Sequence, residues 1–298
     1  VLMSGKGGVG RTVMAATIAR FAARNGRRVL LMEVAHGEGE QSALAPHFGR
    51  TTLRAEPVEV EPGLDICHLW ARSGHERFLS SVLPSRTLIR AALRSRAVEK
   101  FLVAAPSFHE MGVFYHLLTL LTETDQSGRL RHDFIVIDMP ATGHALALTG
   151  LPEILLRLMP GGPIAEALKK GQSILNDSAS CEAWVVTLPE QLPVSESLEL
   201  VTGFEETKVA VGGILLNRMP SNPFTEAERQ RLHDFIDPAT HFGVLSLERL
   251  KAADEAQARL ATGTTAPVLP LPELFAQSSE ELSTRLADCL ETIVRRHR

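Results

Sequence analysis

The sequence predicts an α/β protein: a doubly wound, mostly parallel sheet flanked by helices, with a helical insertion. Three observations carry that expectation. Short continuous apolar runs at residues 29–32 (VLLM), 134–137 (FIVI) and 183–188 (AWVVTL) suit strands covered on both faces. Amphipathic stretches alternate with these runs, the rhythm of βαβ units. A glycine-rich turn joins the apolar run at residues 1–3 to an alanine-rich helix, so the chain opens as strand, turn and helix.

The elements follow in order. Residues 1–3 read as the end of a buried strand. Residues 15–25 read as a strong helix that begins near Thr12 and is stopped by Gly26. Residues 29–32 form the second strand and run into Glu33, Val34, Ala35 and His36. Residues 38–71 read as a short helix followed by extended chain at 57–60 and 64–70. Residues 73–127 are helical in character, with breaks at Pro84 and Pro106, because Phe101, Phe108, Met111, Phe114, Leu117 and Leu121 recur at helical spacing. That makes residues 73–127 an all-helical insertion in a core formed by residues 1–72 and 128–298. Its apolar faces either pack inside the molecule or form a groove for a protein client. Residues 134–137 are a strand ending in Asp138, followed by a Thr142-Gly143-His144 turn. Residues 153–177 are a second amphipathic helical region, interrupted by PGGP at 160–163. Residues 183–188 and 209–216 read as strands, the later one ending at Asn217, and residues 195–206 and 225–235 as helices. Residues 242–245 read as a late strand fragment and residues 251–260, with alternating charges, as a solvent-facing helix. The last helix, residues 280–296, is amphipathic and ends basic, as its dipole prefers. No internal repeat is present.

Composition narrows the function classes. The chain has 298 residues, 44% hydrophobic and 22% charged, which describes an ordinary globule with room for one large α/β domain or two small ones. A formal net charge of -4 gives no basic field for nucleic acid. Cys67, Cys181 and Cys289 lie far apart with no C-x-x-C, which excludes a local zinc or thioredoxin motif and fits a cytoplasmic protein. No apolar run approaches the roughly 18 residues of a transmembrane segment. Val1 already sits inside the first expected strand, so what precedes it stays open.

The chemistry concentrates at residues 5–12, Gly5-Lys6-Gly7-Gly8-Val9-Gly10-Arg11-Thr12. They follow the phosphate-loop pattern G-x-x-x-x-G-K-[ST], with Arg11 where the loop lysine stands. Glycines permit backbone angles that let successive N–H groups converge on one anion, and the helix N-terminus adds its positive dipole end. Asp138 ends a parallel strand, where nucleotide chemistry sits in open α/β sheets, and a carboxylate there holds the hydration shell of magnesium. Glu33 is either a polar strand terminus or a second acid beside the phosphates.

Lys6 directly after Gly5 makes the loop resemble the deviant phosphate loop of the ATPases that include the ParA and MinD partitioning proteins, the nitrogenase iron protein, and the ArsA and tail-anchored-protein-targeting ATPases. Asp138, Pro140, Thr142-Gly143-His144, an apolar helix and Leu151-Pro152 resemble the switch of the ArsA and targeting ATPases, a continuation that ParA and MinD lack. Ala35-His36 is similar to that family's first switch, Asp-Pro-Ala-His. The resemblance implies a P-loop NTPase fold, with ATP and Mg²⁺ as cofactors. It implies nucleotide contacts from residues 5–13, Val13 included, with Thr12 on the metal and Asp138 behind it. Lys6 would reach the nucleotide of a dimer partner, Arg11 would serve as the loop cation, and Glu33, on the first switch, would orient the attacking water. Asn217 is similar to the family's adenine-reading asparagine, and residues 268–273, with Pro270, Leu271 and Pro272, resemble the proline-containing loop that closes over adenine. In the targeting ATPases the region matching residues 153–177 contributes to a methionine-rich client groove; here only Met159 falls in it.

Two departures bear on catalysis. Arg11 puts a planar guanidinium where a point charge normally fits. Glu33 replaces the switch aspartate, and Val34 its proline, which moves the carboxylate by one methylene; a shift of about 1 Å costs on the order of 100-fold in rate. Binding is expected to survive better than turnover. Three readings follow: a dimeric ATPase that couples nucleotide state to a protein client, as a homodimer or a heterodimer; a degenerate nucleotide-binding subunit paired with a paralogous ATPase; or a ParA/MinD-like positioning ATPase, which the acidic balance disfavours in its DNA-bound form.

Overall fold

A computed structural model describes residues 1–34, 41–82, 108–140, 142–158, 161–235 and 243–296. Ala35, His36, Pro84, Phe101, Pro106 and Met159 lie outside the described residues. In chain order the elements are β1 (Leu2–Gly5), α1 (Arg11–Arg24), β2 (Val29–Val34), a short 3₁₀ turn (Ala45–Phe48), β3 (Val58–Glu61), β4 (Leu64–Leu69), α2 (Ala71–Val82), α3 (Phe108–Leu121), β5 (Phe134–Asp138), α4 (Thr142–Leu158), α5 (Pro163–Leu175), β6 (Glu182–Thr187), α6 (Gln191–Glu206), β7 (Ala210–Met219), α7 (Glu226–Phe235), α8 (Val244–Gly263), β8 (Val268–Pro272) and α9 (Ser279–Arg296).

The eight strands form one sheet in the order β3-β4-β2-β5-β1-β6-β7-β8, and every pairing except β3 with β4 is parallel. The central strands are buried on both faces because their alternate residues feed two cores, as a period of two demands. Met3, Leu31, Val136, Val186 and Leu215 pack on the side of α1 and α9. Their neighbours Leu2, Leu30, Ile137, Val185 and Leu216 pack on the side of α3, α4, α5, α6 and α8. The chain leaves β1 over one face towards β2 and leaves β6 over the other towards β7. The order of the sheet therefore reverses between β1 and β6, and the crevice beyond their C-terminal ends is the switch point where α/β sheets bind ligands.

Helices α2 and α3 enter between β4 and β5. Their crossing is close: a Cβ on Gly74 would lie 1.7 Å from the Gly112 carbonyl oxygen. The buried residues of α3, among them Phe114, Leu117 and Leu118, join the same core as the sheet.

Four expectations are corrected. Val244 and Leu245 open α8 rather than a strand; Gly243, at φ 79°, starts the helix, and a short apolar run has no period of its own. The same helix is not wholly solvent-facing, since Leu250, Ala253, Ala256 and Leu260 are buried. The backbone of Thr142-Gly143-His144 is the first turn of α4. Pro270, Leu271 and Pro272 belong to edge strand β8 and not to a loop; β8 hydrogen-bonds only on its β7 side, so proline's missing N–H is tolerated, and Leu271 is fully buried.

Candidate functional site

Strand β1 carries the chain to the crevice at Gly5. A Cβ there would stand 2.5 Å from the carbonyl oxygen of Val186 on β6, so only glycine lets the two strands pass this closely. The turn ends at Gly10, which caps α1 at φ 92° in the left-handed region, with Asn217 Nδ2 only 2.5 Å from the position a Cβ would take. Between them, Gly7 and Gly8 are exposed, and nothing lies within 4 Å of their would-be side chains. Helix α1 has no side-chain cap and no acidic residue in its first turn. Its orphan N–H groups and dipole thus face the open side of a glycine loop, the arrangement that suits an anion. Val9 and Val13 play the opposite part: Val9 is buried in the α1-side core and Val13 packs against that core.

Beneath the loop, Asp138 ends β5, in register with Met3 of β1 and Glu33 of β2. Both of its oxygens are occupied by the first turn of α1. Arg11 Nε donates to Oδ1 at 2.8 Å and the Thr12 hydroxyl donates to Oδ2 at 2.6 Å. Arg11 Nη1 also donates to the Gly5 carbonyl at 3.2 Å, so the guanidinium lies under the loop. Burial pushes the Asp138 carboxyl above its ordinary value, against the opposing pull of Arg11 and Thr12.

Glu33 has its own set of donors: the Ser42 hydroxyl, the Ala43 N–H at 2.9 Å and His68 Nε2 at 2.8 Å. Burial raises its pKa, but the His68 and Ser42 hydrogen bonds outweigh it and hold the carboxyl below its usual range. His68 sits opposite Glu33 in the β2–β4 register, and its Nδ1 is buried without a partner among the described residues. Lys6, on the exposed side of the loop, is ion-paired with Glu196 of α6 in the same chain.

Asn217 is buried near the end of β7. Its Nδ2 donates to the Val9 carbonyl at 2.9 Å and its Oδ1 accepts from the Arg218 N–H at 2.9 Å, so it fastens the loop to β7. Arg218 takes φ 57°, unusual for a residue with a Cβ. One residue past Asn217 opens a cleft of about 260 Å³, lined by Leu188, Pro189, Glu190, Arg218, Arg249 and Glu273. Glu273 directly follows β8 and pairs with Arg249 at 2.7 Å.

The fold thus brings Gly5, Lys6, Gly7, Gly8, Gly10, Arg11, Thr12, Glu33, Asp138 and Asn217 to one crevice, while Leu271 is buried in the α1-side core. Sequence reasoning missed Ser42, His68 and Glu196. A polar residue at the C-terminal end of β4 was a signal for His68; Ser42 and Glu196 had none without the fold.

The profile of the family described as anion-transporting ATPase matches residues 1–161. Among known proteins the chain is similar to the ATPase BagA of Mycobacterium tuberculosis, 28% identical over 73% of this chain and 64% of that protein. It is similar to the arsenical pump-driving ATPase of Escherichia coli, 28% identical over 73% of this chain and 34% of that one. A putative arsenical pump-driving ATPase 2 of Aquifex aeolicus is 25% identical over 76% of this chain and 82% of its own length. The chain spans just under two thirds of the length of the mycobacterial relative and about a third of the Escherichia coli one. Among the described residues no helix is long and apolar enough to cross a membrane.

Proposed function

The chain belongs to the anion-transporting ATPase family, and from that premise we propose that it binds ATP on residues 5–12 and changes its association state with the nucleotide. One observation carries the reading: the uncapped N-terminus of α1 opens through Gly7 and Gly8 directly above Thr12 and Asp138. Gly5 and Gly10 hold that shape, and Asn217 fastens it to β7.

The Thr12 hydroxyl and the Asp138 carboxylate are hard oxygen donors of the kind magnesium takes, but both Asp138 oxygens are already engaged by Arg11 and Thr12. The ion, when bound, would spread the charge of the phosphates. Backbone amides of residues 7–12 hold the phosphates, with Thr12 and Asp138 beneath them. The cleft bounded by Arg218 and Glu190, one residue past Asn217, is the place for the base. Lys6 acts across a dimer of two such chains, or of this chain and a paralogous ATPase, once it leaves Glu196. A protein client would read the change.

Calorimetry with ATP and ADP tests this: saturable heat at one site per chain is the expected result, and a folded sample giving none would end the proposal. A second reading, a nucleotide-holding subunit with little hydrolysis, is favoured by Glu33. Its carboxylate is held by Ser42, Ala43 and His68, and so is committed to the chain rather than to a water. Turnover by the unmodified protein at the rate of an ordinary relative would remove that reading. A rise on Glu33→Asp would support it.

A further inference from the structure

Arg11 differs from the loop lysine in more than size. Guanidinium has five N–H donors in a rigid fork and keeps its proton at any working pH. Here one donor, Nε, sits on Asp138 Oδ1 at 2.8 Å, and one from Nη1 reaches the Gly5 carbonyl at 3.2 Å. The remaining Nη hydrogens have no protein partner among the described residues, and the side chain stays 19% exposed while that of Asp138 is 2% exposed. A permanent cation is therefore fixed between a buried carboxylate and the glycine loop above it.

Resting on the nucleotide reading of this same loop, we propose that Arg11 replaces the divalent cation: its guanidinium bridges Asp138 and the phosphate oxygens, so the site binds nucleoside di- and triphosphates with little dependence on Mg²⁺. Carboxylate, guanidinium and phosphate alternate in charge just as carboxylate, hydrated metal and phosphate do. Arginine is suited to both ends, since its fork pairs with carboxylates and phosphates alike. Thr12 donates to the second oxygen, Oδ2, so both oxygens of Asp138 already carry a donor from α1. An ion seated on Asp138 would have to displace the guanidinium that already neutralises it. Lysine carries its charge on one compact ammonium and lacks the planar fork that pairs with both groups at once.

The test measures dissociation constants for ADP and ATP in excess Mg²⁺ and in excess EDTA, on the unmodified chain and on Arg11→Lys. The unmodified chain should change by less than about threefold between buffers, and Arg11→Lys should lose about tenfold or more in EDTA. In parallel, Mn²⁺ added with ADP should give the electron paramagnetic resonance spectrum of the free nucleotide complex with the unmodified chain and an immobilised spectrum with Arg11→Lys. A tenfold or greater loss in EDTA by the unmodified chain overturns the inference while leaving nucleotide binding intact; that comparison decides the matter even where Arg11→Lys fails to fold. Absence of binding in both buffers by a folded chain overturns the nucleotide reading itself.

Discussion

Helix α1 carries three arginines paired with carboxylates; beside Arg24 on the surface, Arg11 meets Asp138 at 2.8 Å and Arg20 meets Glu61 at 2.7 Å. Arg20 is closed on every side: its side chain is 1% exposed, Nη1 reaches the Ser283 hydroxyl, Nη2 donates to the His47 carbonyl at 2.6 Å, and the guanidinium lies 4.5 Å from the centre of the Phe48 ring. It ties α1 to β3, the 3₁₀ turn and α9. Arg11 is closed only on its protein side and keeps donors in reserve beside an open loop. The ion pairs have the same chemistry. What separates a tie from a tool is the number of donors left over, and whether a ligand can reach them.

The largest effect should follow from breaking the closed site. Arg20→Ala leaves Glu61 without its partner, takes a donor from the Ser283 hydroxyl and the His47 carbonyl, and removes packing over Phe48. Breaking a buried pair costs about 3–5 kcal/mol, and the low end applies because Glu61 is a third exposed. Urea unfolding should show a loss of about 3 kcal/mol, with the nucleotide affinity of the remaining folded chain unchanged. A variant as stable as the parent would deny Arg20 its structural role.

A second closed group sharpens the contrast through pH. His116 is fully buried on α3; its Nδ1 accepts the Trp70 N–H at 3.2 Å, and its Nε2 has no partner among the described residues. Burial, with the charge of Arg77 second, pushes the ring down from 6.5 to about 4. Between those values the unfolded chain takes up a proton that the folded chain refuses. The stabilising contribution is therefore complete above pH 6.5 and falls as pH drops towards 4, by roughly 3 kcal/mol in full. His116→Asn keeps an acceptor for Trp70 and should flatten that slope in melts taken across the window. An unchanged slope would assign it to other groups.

The open site should respond to geometry. Gly10→Ala puts a Cβ at positive φ and 2.5 Å from Asn217 Nδ2. Left-handed strain of about 1–2 kcal/mol, with about 1 more for a weakened Asn217–Val9 bond, gives a loss near 2 kcal/mol. Nucleotide affinity should fall with it. Adding Asn217→Ala removes the obstruction, so the double variant should cost less than the sum of the two singles; strict additivity would separate Asn217 from the loop.

Much of this was legible in the residues. Strands buried on both faces announce themselves as unbroken apolar runs, and the crevice is marked by a glycine turn at one strand end and Asp138 at another. What stayed hidden depended on long-range pairing. His68 meets Glu33 only through the β4–β2 register, and Lys6 meets Glu196 across the crevice. Residues 270–272 resembled the family's proline-containing loop, and only the strand order reveals a sheet edge where proline is admissible. Thr142-Gly143-His144 read as a turn because glycine and a β-branched residue are poor helix formers, yet the helix behind them extends through both.

The smallest effect on stability belongs to Lys6 and Glu196, and there the contrast between ties and tools is most exposed. Their side chains are 41% and 28% accessible, and a partly solvated pair adds less than about 1 kcal/mol. Glu196→Gln should therefore leave unfolding within about 0.5 kcal/mol of the parent. Its effect should appear elsewhere. If Lys6 serves a second copy of the chain, releasing it from Glu196 raises the share of dimer in the presence of ATP, and Lys6→Ala abolishes that rise. Sedimentation velocity with and without nucleotide reads both outcomes. A mass that ignores Glu196→Gln under ATP would make this pair an ordinary surface contact, and Lys6 would join Arg20 among the ties.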